Sequence, residues 1–398
     1  MRIPGVLDFA VFLLTASAAF AAPGFDLQSA LDRAPAGSVL TIPAGTYKGK
    51  FFVRKPLELL AEKGAEIVYG GNGEGSALTV EAGGVTLRGI AVSGSGTNLD
   101  ALDACVTVRG TKVRIENCDF RGGLFCIVLD KSDGAIVRGN RLTGDLKLSF
   151  ARRGDGVRVQ GGRGALLLSN VVETSCDGIY FDSATNATAT GNFVSGGRYG
   201  LHLMHSEGVV ALSNLCGSNI AGCQVMDSRG ARVEGNVFFR NRGSHGAGLQ
   251  VFDSSNCVAM FNELSENTAG VSLKDTGSLL FLSNRISANA SGVRCAGRDR
   301  GVVFSGNRFA GNVIQIDWKR ASPEHFEYRG VGNFWDDYRG FDMNGDGRGD
   351  GAYRQSGFFA ALVRRSPNLG IFFGSPASFL ADFADLSGRA LDRRPLLK

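Results

Sequence analysis

The sequence predicts an all-β chain wound as a right-handed single-stranded parallel β-helix of the pectate-lyase-like kind, and three observations predict it. Asparagines recur in near-identical settings at Asn117, Asn140, Asn170, Asn192, Asn214, Asn236, Asn262, Asn284 and Asn307, most of them 22 or 23 residues apart. Glycines run in phase with them, at Gly156, Gly178, Gly200, Gly222, Gly248, Gly270 and Gly292, each opening a short segment. The segments themselves, Val-Arg-Val-Gln at 157–160, Leu-His-Leu-Met at 201–204 and Leu-Gln-Val-Phe at 249–252, alternate with period two. A repeat of this length is one coil of a solenoid. Alternation makes each segment a strand and excludes a helical repeat.

The elements follow in order. Residues 1–21 read as a secretory signal: Arg2 precedes an apolar run from Val11 to Ala22, and Ala19-Phe20-Ala21 supplies small residues for cleavage. Residues 22–335 form the β-helix. Within it, residues 25–43, with Leu27, Ala30 and Leu31 at helical spacing, are expected to cap the edge of the first coil. From Leu78 to Trp318 the repeat counts about ten or eleven coils, a rod on the order of 50 Å at the inter-strand spacing. The asparagines are expected at left-handed corners, their amides bonding from coil to coil. Residues 336–398 hold an Asp-rich loop and an apolar tail in which the repeat has stopped.

Composition bounds function. A 398-residue chain with 43% hydrophobic residues can bury a large core, its 57 glycines ask for many tight turns, and a net charge of +5 without a basic run points away from nucleic acid. The eight cysteines include no CxxC and no paired pattern; Cys223, Cys295 and Cys105 fall at inward positions and Cys126 at the strand-opening glycine position, so they read as small core residues.

The outward positions carry the chemistry. One column runs Arg158, Tyr180, His202, Gln224, Gln250, Ser272 and Arg294, and the next runs Gln160, Asp182, Met204, Met226, Phe252, Lys274 and Ala296. His202, Met204 and Met226 thus share an outward face, His205 follows at the corner, and a loop at 241–246 brings His245 beside them. Imidazole with thioether suits copper, above all Cu(I). The same methionines also suit a protein-docking patch.

Two further segments stand out. Asp342, Asn344, Asp346 and Asp350 have the spacing of a calcium loop, with Gly347 at the sharp turn but Tyr353 where a glutamate belongs, so the loop reads as a calcium site or as a carboxylate-capped turn. The tail, rich in Phe359, Phe372, Phe373, Phe379, Leu380 and Phe383, either covers the open end of the rod or docks on a membrane partner, with a short amphipathic helix near 378–386. A polysaccharide-active alternative needs paired carboxylates in one groove, and Asp155 and Asp177 with Arg152, Arg153 and Arg158 are its candidates.

On these residues the chain resembles the NosD family of periplasmic β-helices that serve nitrous oxide reductase maturation. The resemblance runs through Val85-Thr86-Leu87-Arg88-Gly89, Asp100-Ala101-Leu102-Asp103-Ala104, the repeat series, Tyr199-Gly200-Leu201-His202-Leu203-Met204-His205, Ala221-Gly222-Cys223-Gln224-Val225-Met226, His245-Gly246, the Gly-Asn-Phe-Trp-Asp-Asp-Tyr run and Ser375-Pro376-Ala377. It implies a non-enzymatic accessory protein of denitrification, a copper-handling chaperone. Its implied partners are an ABC transporter's membrane subunit and ATPase, a copper-donor lipoprotein and nitrous oxide reductase. No nucleotide-binding loop is present in this chain, so ATP must be used by a partner.

Overall fold

The computed structural model describes residues 24–318, 325–354 and 390–397, together with 359, 362, 365–372, 375–378 and 380. The expected signal and most of the expected helix at 378–386 lie outside these residues.

Three parallel sheets of 12, 13 and 12 strands run the length of a right-handed β-helix, and each strand pairs with its equivalents one coil before and after. The third sheet begins at Phe51–Val53 and ends at Ile314–Trp318, so the solenoid starts earlier than the asparagine repeat shows. The helix Leu27–Arg33 caps the first coil: Asp26 accepts from the Ser29 N–H at 3.0 Å, and Leu27 and Leu31 are buried.

Inside, Val157, Ile179, Leu201, Cys223, Leu249, Val271 and Val293 stack in register as one inward column. The glycine ahead of this column answers to close approach. A Cβ on Gly178 would stand 2.1 Å from Val194 Cγ1 and 2.6 Å from the Gly200 carbonyl oxygen of the next coil. All eight cysteines are free thiols, seven of them buried.

The asparagine ladder is real, with two corrections. Asn140, Asn170, Asn192, Asn214, Asn236, Asn262, Asn284 and Asn307 each accept from the backbone N–H of the preceding rung at 2.8–3.1 Å. Asn117 is not a rung: Cys118 fills that place, and Asn117 is exposed with φ of 53°. The left-handed corner is the residue before each rung, such as Ser169, Ser213 or Ser283, because the rung amide must point inward to reach its neighbours. The ladder also extends further, through Asn333 to Asp392. A second ladder, Asn219, Asn241, Asn267, Asn289 and Asn312, lines another corner.

The far end is closed by residues 390–397. Asp392 Oδ2 accepts from the Asn333 N–H at 2.6 Å and from Trp335 Nε1 at 3.1 Å, and Trp335 is sandwiched between Phe309 and Tyr353 at 4.3 and 4.2 Å. The Gly-Asn-Phe-Trp run is therefore one more coil, and its ladder is ended by a carboxylate from the tail.

Candidate functional site

The outward rows of the third sheet have the register expected of them. Arg158, Tyr180, His202, Gln224, Gln250 and Ser272 pair in succession, as do Gln160, Asp182, Met204, Met226, Phe252 and Lys274. Their exposure differs from expectation. His202 is 4% exposed and Gln224 1%, while Met204 and Met226 are half-buried. Side chains one strand spacing apart, about 4.8 Å, shield one another. The His202 ring lies flat on Tyr180 at 4.3 Å and meets Tyr199 edge-on at 4.9 Å.

The burial fixes His202 through one nitrogen. Its Nδ1 stands 2.8 Å from Asp177 Oδ2, and since a carboxylate only accepts, Nδ1 carries the proton. Asp177 is itself wholly buried and gripped by Arg198, Nε to Oδ1 at 2.9 Å and Nη2 to Oδ2 at 2.8 Å. Burial works against the Asp177 charge, but the hydrogen bonds from His202 and Arg198 hold its carboxyl below the usual range. The other ring nitrogen, Nε2, is buried without a partner. In the next coil both amide atoms of Gln224 are likewise buried and unpartnered.

The sulfur row lies alongside. Met204 and Met226 are register partners, and the Tyr180 hydroxyl donates to Met204 Sδ at 3.0 Å. His205 stands exposed at the left-handed corner, its Nδ1 3.8 Å from Asp182 and its Nε2 4.0 Å from Asp227. His245 is exposed on the 241–246 loop, which is tied to the first row by the Gln250 amide donating to the His245 carbonyl. The fold thus brings His202, Met204 and Met226 into one patch and sets His205 at its edge. His245 reaches the patch through the backbone of its loop.

Asp155 and Asp177 do come together, but buried and occupied. Asp155 Oδ1 accepts from the Asp177 N–H at 3.2 Å and Oδ2 from Arg158 at 3.2 Å; Arg158 also reaches Asp182 at 2.8 Å and lies over the Tyr180 ring. Burial, and then the Asp177 charge, pushes the Asp155 carboxyl up to about 7. Cys176 brings its ligand atom within 4.8 Å of both carboxylates, and burial followed by the Asp177 charge pushes its thiol up to about 12. Arg153 is turned to the Leu148 and Thr174 carbonyls.

Sequence reasoning missed the part played by Asp177. Counting by twos from the inward Ile179 sends residue 177 inward. The alternation breaks at Gly178, whose missing Cβ points into the core at Val194, and Asp177 therefore joins the outer side with His202.

In the Asp-rich loop, Asp342 accepts from the Gly345, Asp346 and Gly347 N–H groups and Asp350 from Met343 at 2.7 Å, while Asn344 Oδ1 accepts from Asp346 and Asp346 Oδ1 from Arg348. Tyr353 is buried and donates to Asp337 instead of facing this loop. In the tail Phe359 is buried, Phe372 and Leu380 are exposed, and Phe373, Phe379 and Phe383 lie outside the described residues.

Fold and site together define a parallel β-helix carrying a nitrogen- and sulfur-donor patch on one outer face. A family model described as "Periplasmic copper-binding protein (NosD)" matches residues 138–340. A probable ABC transporter binding protein NosD of Pseudomonas aeruginosa is 38% identical over 352 residues, 85% of this chain and 81% of that protein. Its counterpart in Stutzerimonas stutzeri is 34% identical over 372 residues, 84% of this chain and 80% of that protein. The chain belongs to the NosD family. Among solved structures, the A-module of the Azotobacter vinelandii mannuronan C-5 epimerase AlgE6 superposes with a TM-score of 0.51 at 16% identity, over 76% of this chain and 92% of that one. A D317A mutant of the periplasmic alginate epimerase AlgG gives 0.51 at 14% identity, over 75% and 80%. These two share the fold.

Proposed function

We propose that this protein is a periplasmic accessory factor that holds copper as cargo, as Cu(I), and hands it on during maturation of nitrous oxide reductase. The observation that carries the reading is the two-by-two patch of His202 and Gln224 beside Met204 and Met226, with His205 at its edge and His245 on the loop above. Thioether and imidazole donors favour Cu(I) over hard cations. A half-buried patch limits access of water and competing ligands. Asp155 and Asp177 are committed to Arg158, Arg198 and His202, which speaks for a supporting part in this patch and against polysaccharide cleavage.

The relatives' names support an association with an ABC transporter; in this reading its ATPase supplies the energy and a lipoprotein donates the copper. Exposed Phe372 and Leu380 support a tail that docks on the membrane subunit, with Phe373, Phe379 and Phe383 as its expected companions. The oxygen-rich loop from Asp342 to Asp350, with Asn344 and Asp346, is proposed as a calcium site that steadies the last coil.

Transfer tests the reading. Copper-loaded protein should pass Cu(I) to copper-free nitrous oxide reductase, and Met204→Leu/Met226→Leu should pass none. Equal transfer by the double variant would contradict it. Replacing Phe372 and Leu380 with serine should leave the rod folded and abolish co-purification with the membrane subunit; unchanged co-purification would reject the docking role.

A further inference from the structure

Buried polar atoms without partners are uncommon, because each forgoes its hydration and gains nothing in return. Among the described residues six side-chain atoms are in this state, and three of them, His202 Nε2 and the two amide atoms of Gln224, sit on register partners in adjacent coils. In the same coils every rung of the asparagine ladder is paired. In these two coils the deficiency lies on the outer face.

Resting on the copper reading above, we infer that Asp177, clamped by Arg198, is the positioning residue that reserves Nε2 of His202 for the cargo ion, and that Gln224 is a further donor to that ion. A histidine that ligates through one nitrogen commonly gives the other N–H to a carboxylate, which fixes tautomer and ring plane. Here the carboxylate is wholly buried and has two guanidinium contacts, so it cannot swing away without breaking both of them. Tyr180 stacks on one face of the ring and Tyr199 abuts it edge-on, so the imidazole cannot rotate freely. Gln224, the register partner of His202, then offers its unpaired amide oxygen, and Met204 and Met226, register partners in the same two coils, offer their thioethers.

The test uses the full-length mature protein and Cu(I) alone, titrated against a chromophoric Cu(I) chelator. Asp177→Asn should weaken Cu(I) binding by about 10- to 100-fold, the usual cost of losing an outer carboxylate. It should also move the imidazole nitrogen shifts of His202, which in the parent should mark Nδ1 as the nitrogen whose proton is shared with Asp177. Gln224→Leu should act in opposite directions on two readouts: removing two unpaired buried groups raises the thermal midpoint without copper, while losing a donor weakens Cu(I) binding. A purely structural Gln224 would move both the same way. If both variants bind Cu(I) like the parent while Met204→Leu/Met226→Leu does not, the inference falls and the copper reading stands. If the parent binds none, the copper reading itself falls.

Discussion

Two buried polar columns run through the same coils and behave differently. Asn192, Asn214 and Asn236 line an inner corner, and each amide both receives from the rung before and donates to the rung after, at 2.8–3.0 Å. Tyr180, His202 and Gln224 line the outer face of the third sheet in equal register, yet Gln224 and one nitrogen of His202 bond to nothing. The first column is closed on itself and serves the fold. The second is satisfied at Asp177 and left unpaired at His202 Nε2 and the Gln224 amide, as the proposed copper patch requires of its donors.

The largest effect should come from breaking the closed column. Asn214→Ala would leave the Asn192 N–H without a partner and would remove three further bonds, from the Asn192 amide, to the Ala189 carbonyl and to the Asn236 amide oxygen, at about 1–3 kcal/mol for the unsatisfied group and about 1 kcal/mol for each further bond. A loss of roughly 4 kcal/mol or more in denaturant-induced unfolding is expected; a loss below about 1 kcal/mol would mean that the ladder is decoration. Second in size is Gly200→Ala, whose Cβ would meet the Gly222 oxygen at 2.6 Å and Cys216 Cβ at 2.8 Å. A cost of about 1–3 kcal/mol is expected, as for other overpacked cores.

Acid titration sharpens the same contrast, because the asparagine column has no charge to lose. Asp155 is raised from 3.8 to about 7, so the folded protein holds a proton there that the unfolded chain has released. Its contribution is fully present below about pH 4 and is lost as pH rises to about 7. Asp337, pushed up to about 6 by burial and then Asp336, adds the same sign over a narrower window. Asp155→Asn should therefore flatten, without abolishing, the decline of unfolding free energy between about pH 4 and 7, a difference of a few kcal/mol at most. An unchanged slope would show that Asp155 ionises freely. The smallest effect is expected from millimolar calcium at the Asp342 loop, a rise in thermal midpoint of a few degrees by linkage; no rise leaves the loop as a self-capped turn.

Most of the fold was legible in the sequence, since a solenoid repeats its physics every coil: Gly178, Gly200 and Gly222 mark one close approach three times over. The ladder was misread where repetition lapses. Asn117 imitates a rung one residue early, and Asp392 joins the ladder across 59 residues, beyond any repeat count. The second ladder was legible at the same spacing, from Asn219 to Asn312, and was hidden behind the first. Of the site, the register of Met204 with Met226 and of His202 with Gln224 followed from counting. The burial of His202 did not, because it depends on lateral stacking with Tyr180 and Tyr199. Nor did Asp177, because a glycine breaks the alternation just before it would be counted.

The most direct measurement is the Cu(I) dissociation constant of the protein, by chelator competition, for the parent and for Met204→Leu/Met226→Leu. Both methionines are half-buried on the outer row, and leucine keeps their volume, so the fold and its thermal midpoint should hold. The account predicts tight binding of Cu(I) by the parent and a loss of at least 100-fold in the double variant. Equal affinities, with both proteins folded, would contradict it.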